Sequence, residues 1–291
     1  MILSENLRGA GLMVASMLLF AVNDAFIKSL GGQVAVFQTL FIRTAMVVAI
    51  LAVAVTWKRG WVQGDMPAKT RVIMWLRAFT EVGAAYFIVT ALFNMELVNL
   101  TAVLQVLPLA VTLAAFLFLG EPLGWRRLLA IAVGFVGVML IIQPTSDGFN
   151  AYSFHAIGGV VCVTARDIFA RLMGRVISAQ LMSLQAASMV LIFAFVAGFW
   201  ETWHPVPPAA WIGLVGSAAA ISVGYVVSAL VMRHGDIGYT AQFRYAGLLA
   251  ALVLGYVFFD EWPNALTLLG AVIVVATGLF ALNRERRTPK G

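Results

Sequence analysis

Ten apolar runs, each long enough to cross a bilayer as a helix, follow one another along this chain with only short connections. In lipid no water satisfies a free backbone N–H or C=O, so a run of roughly 20 apolar residues has one stable form there, the helix. The runs fall at about 8–30, 35–57, 72–94, 99–120, 126–143, 153–173, 179–200, 208–232, 238–259 and 264–283. Only 11% of the 291 residues are charged and 62% are hydrophobic, whereas a soluble domain carries roughly 25% charged residues. The expected class is all-α and integral to the membrane. It forms a single transmembrane domain, 1–291, with neither a soluble module nor a flexible linker.

One of these runs occurs twice. Residues 99–123 read NLTAVLQVLPLAVTLAAFLFLGEPL and residues 238–262 read GYTAQFRYAGLLAALVLGYVFFDEW. Thr101-Ala102 matches Thr240-Ala241 and Glu121 matches Glu261, at a spacing of about 140 residues. Gln105 then falls on Arg244, and Pro108 on Gly247. Nearly the same spacing pairs Asp24 with Asp167, Arg43 with Gln185 and Tyr86 with Tyr225. Two five-helix units result, 8–145 and 150–284. An odd number of spans makes the second unit enter the membrane upside down. The expected architecture is ten transmembrane helices as two inverted five-helix repeats around a central cavity. In the first copy Thr101, Gln105, Pro108 and Thr112 share one helix face, which is turned from lipid. Pro108 predicts a kink.

The net charge of +6 does not point to nucleic acid, because Lys and Arg lie mostly in the short connections. Arg8, Lys58, Arg59, Lys69, Arg71, Arg126, Arg127, Arg171, Arg175, Arg233, Arg284, Arg286, Arg287 and Lys290 fall on one side of the membrane. Glu96, Asp147, Glu201, Asp260 and Glu261 fall on the other, with no Lys or Arg among them. The positive-inside rule then places both termini in the cytoplasm. A lone Cys162 excludes an internal disulfide and a cysteine metal cluster. His155, His204 and His234 show no ligand spacing. No phosphate-loop motif occurs. No cofactor, metal, nucleic acid or obligate protein partner is expected. The first run leads into Asn23, Asp24 and Lys28, not a cleavage site, so no cleavable signal peptide is expected.

Several local patterns carry a resemblance. They are Phe41-Ile42-Arg43, Tyr86, Ala91-Leu92, Asn99 through Thr101-Ala102, Pro108 to Gly120-Glu121, and Gly137. In the second unit they are Tyr225, Ala229-Leu230, Thr240-Ala241, Glu261, Gly270 and Gly278. With these the chain resembles the drug/metabolite transporter superfamily in its ten-helix EamA branch, over essentially its whole length. It departs from that pattern at Gln185 and Gly247. Within the superfamily it is most similar to bacterial aromatic amino-acid exporters of the YddG type. The resemblance implies a secondary transporter, not an enzyme, in the bacterial inner membrane. Its substrates would be amino acids, aromatic and other neutral ones first. It also implies that helices 1–4 and 6–9 surround the cavity, with 5 and 10 as outer supports. Efflux of drugs or another metabolite is the rival reading. A polytopic enzyme lacks a nucleophile–base or metal constellation at one depth.

A charge near the bilayer centre costs at least ~2.5–3.5 kcal/mol, so charged residues within spans mark the candidate site. Arg244 reads either as a bidentate anchor for a substrate carboxylate or as the partner of an acid such as Asp167. Glu81 reads as a proton or ammonium acceptor, or as a local i, i+4 pair with Arg77. Asp24, Arg43, Arg166 and Asp167 read as gate bridges or as fixed bracing. Adjacent Arg166 and Asp167 point roughly 100° apart on a helix and are expected to need different partners. Asn23 and Phe20 on one face, with Ser217, Tyr86, Tyr225, Gln105, Thr101 and Thr240, complete the candidate substrate-binding set. Ala130, Gly134 and Gly137 read as close helix packing. Glu121 and Glu261 read as structural helix ends.

Overall fold

The computed structural model describes residues 2–57, 67–120, 123–143, 151–173, 179–231 and 240–287. Lys58, Arg59, Glu121, Asp147, Arg175, Arg233, His234 and Lys290, weighed above, lie outside the described residues. Those described are helical with no strand. The helices are α1 (Ile2–Lys28), α2 (Val36–Trp57), α3 (Ala68–Asn94), α4 (Leu97–Leu104), α5 (Leu107–Leu119) and α6 (Trp125–Ile142). They continue as α7 (Ser153–Met173), α8 (Ala179–Ala197), α9 (Ala210–Val231), α10 (Ala246–Phe259) and α11 (Ala265–Arg287). Eight stretches among the described residues are long and apolar enough to cross a membrane, with α4 and α5 together making one of them. Two shorter apolar helices, Phe243–Phe259 and Ala265–Ala281, stand where the ninth and tenth runs were expected.

The direction of each span follows from one end of the bundle. Lys28, closing α1, donates to Met95 O just past α3 and pairs with Glu261 just past α10. Glu261 also accepts the Leu97 N–H that opens α4. Glu201, beyond α8, accepts the Phe37 and Gln38 N–H groups in the first turn of α2. Gln143, after α6, donates to Asn264, just before α11. Leu30 and Val34 pack on Ala210 and Leu214 in the first turns of α9. Helices α1, α3, α6, α8 and α10 therefore end where α2, α4, α7, α9 and α11 begin, and sequential spans run antiparallel. This end is called the loop end below. These acceptors also satisfy first-turn N–H groups that a helix leaves unpaired. Laterally, α3 lies on α7, α1 on α9, α2 on α8, α6 on α11 and α4 on α10.

The fourth span is broken, one turn earlier than the kink expected at Pro108. α4 stops at Leu104, Gln105 and Val106 form a turn, and Pro108 sits in the first turn of α5. Proline removes its own N–H and its ring clashes with the carbonyl four residues back, here Leu104. The ninth span is irregular at the matching place. Ala241–Tyr245 is a 3-10 turn and regular helix resumes at Ala246, although Gly247 stands where proline does in the first copy. The single helices expected at 99–120 and 238–259 are therefore corrected to broken ones.

Small residues set the closest crossing. A Cβ built on Gly137 of α6 would stand 2.9 Å from Gly270 O, and one on Gly270 of α11 only 2.5 Å from Gly137 O. Both obstacles are backbone, so neither can rotate aside, and α6 and α11 meet only because both positions lack a side chain. Gly134, one turn earlier, abuts Leu109 and Thr277. Gly270→Val should lower the thermal unfolding midpoint of the detergent-purified protein by several degrees, with overpacking costing about 1–3 kcal/mol. Gly11→Ala, with nothing within 4 Å of its Cβ, should leave the midpoint unchanged or raise it.

Candidate functional site

The charges that the sequence places inside spans meet between helices. Arg166 of α7 reaches Glu81 of α3 at 3.4 Å. Arg77, one turn before Glu81 on α3, approaches the same carboxylate at 3.8 Å and donates to Met182 O of α8 at 3.4 Å. One carboxylate thus faces two guanidiniums, and α3, α7 and α8 are tied at one depth. Arg166 also pairs with its own neighbour Asp167, at 3.0 Å. This corrects the expectation that the two need different partners. The long guanidinium stem bends around the helix to meet the short carboxylate, whatever the angle between the Cβ vectors.

A second set joins α1 to α2. Arg43 Nη2 donates to Asn23 Oδ1 at 3.2 Å, and Asn23 Nδ2 donates to Asp24 Oδ1 at 2.8 Å. Asn23 relays between Arg43 and Asp24, which make no direct ion pair among the described residues. Arg43 lies within electrostatic reach of Asp24, Glu81 and Tyr225. Tyr225 of α9 lies within reach of Glu81, Arg166, Arg43 and Arg77. The two sets are one constellation, with three acids and three cations in balance. Arg166 and Asp167 keep 23% and 30% of their side-chain surface accessible, whereas Arg43 and Asn23 are buried. Several polar atoms around it have no partner, including Arg43 Nε, Arg77 Nε and both amide atoms of Gln185.

Arg244 stands apart from this set. It lies half-buried in the 3-10 turn before α10 and has no ion pair or hydrogen bond among the described residues. The alternative pairing with Asp167 is absent among the described residues, where Arg166 engages Asp167. A Cβ on Gly247 would lie 3.8 Å from Gln105 Nε2, so the breaks in the fourth and ninth spans face each other with Gln105 between them. Thr240 is buried at the entry to the 3-10 turn. Thr101 and Ser217 donate to carbonyls of their own helices, Leu97 O and Leu214 O. Phe20 meets Tyr225 edge-on at 6.1 Å, and Tyr86 stacks on Phe37 at 5.7 Å.

A site that sequence reasoning missed lies at the loop end. A cavity of about 410 Å³ opens among Lys28, Glu96, Asn99, Gln143, Glu261 and Asn264. Lys28 Nζ is 2.7 Å from Glu261 Oε1, 2.6 Å from Met95 O and 5.5 Å from the Phe259 ring centre. Burial pushes the Glu96 carboxyl up, the nearby Glu261 adds to this, and Lys28 opposes it. Among the described residues no cluster of His, Cys, Asp or Glu could hold a metal ion.

Glu81→Gln should leave Arg77 and Arg166 without a balancing charge and destabilise the purified protein by about 1–3 kcal/mol. The double change Arg77→Gln, Glu81→Gln should recover part of that loss. Chemical denaturation followed by circular dichroism checks both.

Residues 7–143 match the model of the EamA-like transporter family. The chain is 24% identical over 290 residues to an S-adenosylmethionine uptake transporter of Rickettsia conorii, covering 98% of this chain and 96% of that protein. It is 22% identical to a riboflavin transporter of Vibrio cholerae, covering 97% of this chain and 95% of that one. It is 23% identical to a pseudopaline exporter of Pseudomonas aeruginosa, covering 96% and 97%. A solved crystal structure superposes on it with a TM-score of 0.67 at 15% identity, covering 96% of this chain and 98% of that one, so the fold is one already seen by experiment. The first half of the chain thus matches the EamA-like transporter family, and nearly the whole chain is similar to small-molecule transporters.

Proposed function

We propose that the chain is an EamA-type secondary transporter of the drug/metabolite superfamily. In this reading it moves small metabolites bearing an amino-acid head across the bacterial inner membrane by alternating access. Two five-helix halves, 8–145 and 150–284, form inverted repeats around a chamber. The antiparallel spans support this, since α1 runs toward the loop end and α7 away from it. The paired contacts support it too, because exchanging the halves converts α3 on α7 into α1 on α9. The basic connections on the side of the termini support a cytoplasmic placement of both ends.

Arg244 is the observation that carries the substrate class. Among the described residues Arg244 is a half-buried guanidinium with no acid paired to it, which is costly in a membrane span unless an anionic group from outside occupies it. A substrate carboxylate fits, held by Arg244 with Gln105 opposite, at the two places where the fourth and ninth spans depart from regular α-helix. The charges around Glu81 supply the contrasting end for an ammonium, while Asp24, Arg43, Arg166 and Asp167 rearrange as the halves rock. Thr101, Thr240, Asn23, Phe20, Tyr86, Tyr225 and Ser217 line or shape the passage. S-adenosylmethionine, carried by the Rickettsia relative, has the same amino-acid head as a free amino acid. Aromatic and other neutral amino acids are the simplest members of this class, and export is the direction proposed for them. No ATP is needed, because the substrate gradient or a coupled ion drives the rocking.

Proteoliposomes with the full chain test this against a panel of S-adenosylmethionine, phenylalanine, alanine and riboflavin. Saturable flux of the first three is expected. Arg244→Ala should raise the half-saturating concentration by about 10- to 100-fold, the size of one lost charge-assisted pair, with Arg244→Lys intermediate. Flux of riboflavin alone, or unchanged flux in well-expressed Arg244→Ala, contradicts the reading.

A further inference from the structure

We propose that the loop-end cavity is a second binding site, built for a small organic ammonium, and that an entering cation competes with Lys28 for Glu261. The proposal goes beyond the transport reading, since none of the cavity's lining residues belongs to the constellation around Glu81. Lys28 itself shows what chemistry this wall accepts. Its ammonium is held by a carboxylate oxygen of Glu261, the peptide carbonyl of Met95 and the face of Phe259. An ammonium has three donors and no acceptor, and this set of acceptors with an aromatic face is complementary to it.

The rest of the wall adds further acceptors, from Glu96, Asn99, Gln143 and Asn264. Glu96 is a second carboxylate beside the first, and Asn99 Oδ1 is buried with no donor. Two carboxylates face one ammonium, so the cavity is one positive charge short. Burial and the charge of Glu261 push the Glu96 carboxyl up, opposed by the charge of Lys28 and a hydrogen bond from the Asn99 side chain. A volume of about 410 Å³ falls within the roughly 300–1,000 Å³ of small-molecule sites. Glu261 also holds the first N–H of α4, so the contact that the cation contests is the one that ties α1, the α3–α4 turn and the end of α10 together. Occupancy would therefore loosen the loop end at the moment a cation arrives.

Isothermal titration of ethylammonium into the full chain in lipid nanodiscs tests this. Saturable binding is expected, with no binding of acetate and no competition from sodium at equal concentration. Glu96→Gln, which leaves the Lys28–Glu261 pair in place, should weaken ethylammonium at least tenfold. Lys28→Met, which removes the resident competitor, should tighten it severalfold. Thermal unfolding shows whether each variant is folded. No saturable binding to the folded wild type, equal binding by Glu96→Gln, or displacement by sodium would overturn the proposal. Arg244→Ala should bind ethylammonium like the wild type, so a failure of this site and a failure of the substrate anchor give different results.

Discussion

Glu81 holds the bundle's interior together electrostatically. It faces Arg166 across the α3–α7 contact and Arg77 on its own helix. Arg166 has Asp167 as a second partner, and Arg77 reaches the backbone of α8. In a low-dielectric interior none of these charges is tolerable alone, and removing one exposes the rest. Apolar residues of the same volume would hold two helices at least as firmly. A charged interior that keeps accessible surface makes sense where a polar solute passes. Three acids and three cations balance around Tyr225, while Arg244 has no acid paired to it among the described residues.

Backbone irregularity is the second departure from a plain helical bundle. A continuous helix satisfies all its own N–H and C=O groups and offers a solute nothing but side chains. The fourth and ninth spans break at Gln105-Val106 and at Ala241–Tyr245, and the two breaks face each other through Gln105 and Gly247. The first break has a steric cause in Pro108. The second occurs without proline, beside a glycine that packs against Met17 and Gln105. Meanwhile α6 and α11 press together at Gly137 and Gly270, and Gly278 of α11 leaves room for Tyr245 at the end of the second break.

The spans were legible because roughly 20 apolar residues in a row have one stable fate in lipid. Glu81, Arg77, Arg166 and Asp24 were legible as charges that need partners inside the bundle, because a charge in such a run is conspicuous. Partner choice was less so. Arg166 was not expected to turn onto adjacent Asp167, since a helical wheel fixes Cβ directions and not where a flexible guanidinium ends. The exact break was hidden because proline acts on the turn before it. The Lys28–Glu261 pair escaped notice because its members lie in different halves, and Glu261 read as a plain helix end. The cavity beside it depends on how turns from both halves meet, which no local pattern encodes.

The central claim is that the constellation around Glu81 lines a wet chamber that opens to each face in turn. Single-cysteine labelling tests it most directly. With Cys162 replaced by alanine and Tyr225→Cys introduced, membrane-impermeant methanethiosulfonate is added from the outer or the inner side of oriented vesicles. The account predicts reaction from both sides, with each rate lowered by substrate. Reaction from neither side, in protein that is folded and inserted, would contradict it.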